Sequence, residues 1–207
     1  MNLKPIFIFV FIIWVFCVYG CLSIKEVKTP DKHYYVLEYS QNSFRQKRLP
    51  YILKVKEFAV APEYRGVNIV YQENQNQRQV YPYHRWWISP GLLISNCLKQ
   101  DLLNSQNYKA VIGEASQLNA SHTLEGTVEA IYEQDRNDAW YAVLDLNVIL
   151  EKRDLSSGHW QVLFQDSFSA QKRAAQNKPD KVVQAMSLAM KEISHKIQEK
   201  LYKAMAQ

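Results

Sequence analysis

The chain has 207 residues, with 25 Lys and Arg against 20 Asp and Glu and a formal net charge of +5. That length suits one domain and a linker. Acidic and basic residues alternate along most of it, which excludes the one-sided basic stripe of a nucleic-acid binder.

At the N-terminus, Lys4 precedes an apolar run over residues 5–19 that closes on Val18, Tyr19, Gly20 and Cys21. This is the layout of a bacterial lipoprotein signal peptide: a charged start, an apolar stretch and a small residue before the cut. Residues 1–20 form the signal peptide. Cys21 becomes the new N-terminus, with a diacylglycerol on its thiol and a further acyl chain. Tyr19 is bulkier than the small residue usual at its position. Residues 5–24 also approach the ~20 apolar residues of a spanning helix, so an uncleaved anchor is the alternative. Both readings hold the body of the protein at a membrane, outside the cytoplasm. Cys17 leaves with the signal peptide, so Cys97 stands alone and reads as a small buried hydrophobe.

Residues 21–33 are the lipidated N-terminus and a polar tether containing Pro30. A single domain over residues 34–207 follows. Tyr and Val mark a first strand at 33–40. A polar loop at 41–50 carries Arg45, Lys47 and Arg48. A solvated charge run is the plainer reading of this cluster, and contact with anionic head groups the other. Leu53, Val55, Phe58 and Val60 mark a second strand, ended by Pro62. Short strands follow at 68–72 and 79–83, around a Gln- and Asn-rich loop.

Ser89 and Pro90 open a helix in which Ile94, Leu98 and Leu102 recur at helical spacing, with Cys97 beside them. A short strand at 109–113 and a loop at 114–121 come next. The clearest strand signal spans residues 122–169. Leu124, Gly126, Val128, Ala130 and Tyr132 share one face; so do Trp140, Ala142, Leu144, Leu146, Val148 and Leu150; then Trp160, Val162, Phe164 and Phe168. Short turns between period-two strands predict an antiparallel meander with one buried face. A final helix over 177–207 carries one apolar stripe through Val182, Met186, Ile193, Ile197 and Leu201. The sum is an α+β domain: a mixed or antiparallel sheet, a β-meander in its C-terminal half, and two main helices packed on one face.

Catalytic spacing is missing. No nucleophile elbow, zinc-protease helix or phosphate-binding glycine loop occurs, and the five histidines have no metal-ligand spacing. The reading is therefore non-enzymatic, with no metal and no cofactor beyond the lipid on Cys21. The densest unusual feature is YPYHRWWISP, with Tyr81, Tyr83, Trp86 and Trp87 just before a helix. Tyr and Trp are enriched where proteins meet partners, which makes these four the candidate partner interface. Trp86 and Trp87 cannot face the same way in an extended chain. One belongs in the core and the other at a surface; the sequence leaves open which.

The VYGC segment, the strand YYVLEY and the block from EYRGVNIVYQ to VYPYHRWWISPGLLISNCLKQDLL resemble the ABC-type transport auxiliary lipoproteins, the PqiC-like group. Val70 and Tyr71, then Tyr83, then Trp86 or Trp87, then Leu93, Leu98 and Leu102 carry the resemblance. The doubled tryptophan and Tyr19 depart from the pattern. The resemblance implies a non-catalytic subunit of an ABC transporter and MCE-domain system that moves lipid between the two envelope membranes. It implies a lipid anchor in the outer membrane facing the periplasm, since Leu22 rather than Asp follows Cys21, and assembly as a homo-oligomer. A structural or assembly lipoprotein, pilotin-like or serving cell-wall synthesis, is the alternative.

Overall fold

The computed structural model describes residues 30–40, 44–136, 138–154 and 156–207. The signal peptide, Cys21 and the tether up to residue 29 lie outside the described residues. Residues Lys32–Gln207 form one compact unit. In chain order it holds β1 (His33–Tyr35), β2 (Leu49–Val55), β3 (Ala59–Val60), a 3-10 turn (Pro62–Tyr64), β4 (Asn68–Asn74) and β5 (Gln77–Trp86). Then come α1 (Pro90–Ser105), β6 (Tyr108–Gly113), β7 (His122–Arg136), β8 (Ala139–Arg153), β9 (Trp160–Arg173) and α2 (Pro179–Met205).

Strand β7 organises the sheet. One edge pairs antiparallel with β8, which pairs antiparallel with β9, so the expected meander is present. Along the other edge β7 takes three short parallel partners in turn: β2 at His122–Leu124, β3 at Thr127–Val128 and β4 at Tyr132–Gln134. Strands β6 and β5 extend β2 and β4 outward, and β1 lies parallel on β5. The sheet is mixed and the class is α+β, as the sequence predicts. Helix α1 packs on β3, β6 and β7, α2 packs on β8 and β9, and the helices touch each other.

Phe58 fills the break between β2 and β3 and is buried. It lies between two glycines. A Cβ on Gly91 would come within 2.1 Å of the Phe58 carbonyl oxygen, and one on Gly126 within 2.7 Å of the Phe58 ring. Only hydrogen fits at either position.

The second strand divides at Phe58 into β2 and β3, Trp160 and Val162 lie exposed instead of on the buried face of the meander, and three further expectations change. The first strand pairs only over His33–Tyr35 instead of 33–40. Beyond it the chain leaves the sheet for the helices: the Glu38 N–H donates to Ser187 Oγ on α2 at 3.1 Å, and Tyr39 donates to Asp101 on α1 at 2.7 Å. Side chains thus replace the ladder that a longer strand would need. Second, a bulge in β7 between Val128 and Ala130 shifts the face. Leu124, Gly126 and Val128 oppose buried residues of β8 as expected, but Ile131 and Glu133 then oppose Leu144 and Ala142, and Tyr132 turns to the other side. Third, β4 and β5 extend through residues placed in the loop at 72–79, leaving a tight turn at Gln75 and Asn76.

Candidate functional site

The aromatic corner is the end of β5 and the start of α1. Trp86 donates its N–H to Val67 O at 2.7 Å, and Trp87 donates its N–H to Tyr35 O at 2.8 Å. Successive backbone groups are therefore fixed on opposite sides, and so are the rings. Trp86 is 2% exposed and belongs to the core; Trp87 is 65% exposed. Ser89 then caps α1, its Oγ accepting from the Leu92 N–H at 3.5 Å, and Pro90 occupies the first turn. The corner is rigid because strand, cap and core tryptophan hold it together.

Tyr34 of β1 meets the Trp87 ring edge-on, with centroids 5.6 Å apart and planes at 85°. Tyr34 and Val36 are both exposed, so an apolar surface continues from Trp87 onto β1. The sequence reading missed Tyr34, because only the parallel pairing of β1 with β5 brings it to the corner.

Tyr81 and Tyr83 are half-buried. Tyr81 points inward: its hydroxyl donates to Glu133, with Oε1 at 2.9 Å and Oε2 at 3.1 Å, and its ring packs on Tyr71 at 4.6 Å. Its hydroxyl and ring brace the corner from beneath. Glu133 is 1% exposed, and burial pushes its carboxyl up to about 7, with Asp135 adding to the rise and the Tyr81 hydroxyl opposing it. Nothing in the strand alternation marks Glu133 as buried; the β7 bulge puts it there. His84 lies 2.8 Å from the Tyr35 hydroxyl and stacks on His33, and burial lowers its basicity.

Among the described residues, no group of three or more His, Cys, Asp or Glu could hold a metal ion. Cys97 is half-buried, and burial pushes its thiol up to about 12, so no reactive thiolate is held at neutral pH. Asp101 accepts from Tyr39 and Ser194 and ties α1 to α2. This polar seam is structural. No helix among the described residues is long and apolar enough to cross a membrane.

Fold and surface define an α+β domain that carries an exposed aromatic corner. The same fold occurs in protein XCC0632 from Xanthomonas campestris, with a TM-score of 0.72 at 14% identity over 83% of this chain and 95% of that one. It also occurs in an uncharacterized protein, with a TM-score of 0.65 at 17% identity over 83% and 99%. The hypothetical protein CT253 from Chlamydia trachomatis matches with a TM-score of 0.52 at 9% identity over 76% and 98%. No curated protein matches significantly. The family model of the ABC-type transport auxiliary lipoprotein component matches residues 35–198, and the chain belongs to that family. Membership associates it with an ABC transport system and, as a lipoprotein, with a membrane anchor.

Proposed function

We propose that this protein is a non-catalytic, lipid-anchored subunit of an ABC transporter and MCE-domain system that moves lipid across the envelope. The acyl chains on Cys21 hold it in the outer membrane, and its domain faces the periplasm, where it docks or positions the tunnel. One acyl chain gives only marginal attachment, so the thiol-linked diacylglycerol and a further chain act together. The observation that carries the docking role is the Trp87–Tyr34 pair. A 65% exposed tryptophan held on a rigid corner loses little freedom on binding and offers a large apolar face. Like subunits associate through β9. Its outer edge is unpaired among the described residues, and the stretch from Trp160 to Phe168 carries a single charge, Asp166.

The test is affinity purification of the full-length protein from its own cells. Wild type brings down an MCE-domain protein and its transporter. Trp87→Ala loses them while remaining in the membrane, and Cys21→Ala moves to the soluble fraction. Capture of a secretin or a cell-wall synthase instead would replace this reading with that of an assembly lipoprotein. A Cys21→Ala protein that stays membrane-bound and uncleaved would show the anchor helix.

A further inference from the structure

The basic cluster Arg45, Lys47 and Arg48 is not a freely solvated run. Asn107, 1% exposed and placed between α1 and β6, clamps it. Asn107 Oδ1 accepts from the Gln46 N–H at 2.7 Å, its Nδ2 donates to Phe44 O at 2.6 Å, and its backbone oxygen accepts from the Leu49 N–H at 2.7 Å. Arg45 thus lies between two tethered neighbours. Arg48 is fixed as well: its guanidinium donates to the carbonyls of Tyr108 and Lys109, at 3.1 and 3.0 Å, at the start of β6. Those two bonds use two of the five donors on its fork.

The clamped loop forms one wall of a cavity of about 580 Å³ beside the end of α1. Arg45, Arg48 and Lys109 supply three cations, and among the described residues no acidic side chain lines it. Leu102, Leu103 and Val111 supply apolar wall. The nearest carboxyl along α1, Asp101, is turned into the helix seam with Tyr39 and Ser194. The carboxyl end of α1 disfavours an anion, but its partial charge is about half a unit against three full cations.

We infer that this cavity is a recognition site for a phosphate group, with room on its apolar side for an attached hydrocarbon. A guanidinium held in place, as that of Arg48 is, suits phosphate oxygens, because the fork is pre-organised and the bonds are charge-assisted. The site stands on its own residues and is independent of the proposed transport role.

The phosphate has two possible sources, a lipid head group or free phosphate, and calorimetry on the full-length protein in a neutral detergent separates them. The probes are dihexanoyl phosphatidic acid, inorganic phosphate and dihexanoylglycerol, which lacks the phosphate. Saturable binding of the phosphatidic acid, with none of dihexanoylglycerol, is expected. Arg45→Glu with Lys109→Glu, both exposed positions, weakens it at least about tenfold, while Arg45→Lys with Lys109→Arg keeps it. Inorganic phosphate binding as tightly as the lipid supports the site and assigns it to free phosphate. Tighter lipid binding assigns it to the head group. If neither phosphate probe saturates, or if the charge-reversed protein binds as wild type does, the inference is overturned.

Discussion

At the scale of single residues, adjacent tryptophans do opposite work. Trp86 is a core residue, and truncating it leaves a cavity beneath the corner. Trp86→Ala is expected to cost about 3–5 kcal/mol, read as a fall in the urea midpoint. Trp87→Ala removes exposed ring surface and changes stability by no more than about 0.5 kcal/mol, while abolishing partner capture. A large stability loss for Trp87→Ala, or none for Trp86→Ala, would contradict the assignment. The sequence shows that one tryptophan must face inward, because strand side chains alternate. It does not show which, because the phase is set by hydrogen bonds to Val67 and Tyr35, residues distant in sequence. Of the two tyrosines in the cluster, Tyr81 is half-buried with its hydroxyl bonded to Glu133.

Among the elements, the junction of β2, β3, β7 and α1 depends on the slot around Phe58. Gly91→Ala and Gly126→Ala each push a methyl into occupied space, at 2.1 Å from a carbonyl oxygen and 2.7 Å from the Phe58 ring. Each is expected to destabilise by about 1–3 kcal/mol, measured by thermal unfolding. The double change Gly126→Ala with Phe58→Leu should recover part of the loss, since the ring then no longer meets the methyl. No recovery would place the strain at the Asn147 carbonyl, 2.5 Å from the same Cβ. The meander and both helices were legible because each repeats a period of its own over more than ten residues. The short parallel strands were less so. Strand β1 pairs over three residues, and β3 over two, too few for alternation to register.

Across the molecule, two buried groups oppose each other in pH dependence. Glu133 has its carboxyl raised from 4.5 to about 7, so the folded state keeps a proton that the unfolded chain loses. Its contribution is complete below pH 4.5 and lost as pH rises to 7. His122 is 2% exposed and lowered from 6.5 to about 4, by burial first and by Lys152 second. Its contribution is complete above pH 6.5 and lost as pH falls to 4. Each amounts to up to about 3 kcal/mol. Between pH 4.5 and 6.5 the slopes of these two groups largely cancel each other. Glu133→Gln, which keeps the volume and a hydrogen-bond acceptor for Tyr81, should unmask a rise in stability from pH 4 to 6.5. Denaturant titrations across that range check this, and an unchanged profile in Glu133→Gln would count against a protonated Glu133.

The sequence by itself determined the composition class, the lipoprotein-like N-terminus as an expectation, the α+β order of elements and the two amphipathic helices. These follow from local patterns: a charge before an apolar run, a period of two, a period near 3.6. Tertiary structure alone decided which tryptophan is exposed, that Tyr34 joins it, that Glu133 is buried, and that Asn107 clamps the basic loop. Each depends on a pairing between distant segments or on one extra residue in a strand, and a bulge reverses every face that follows it.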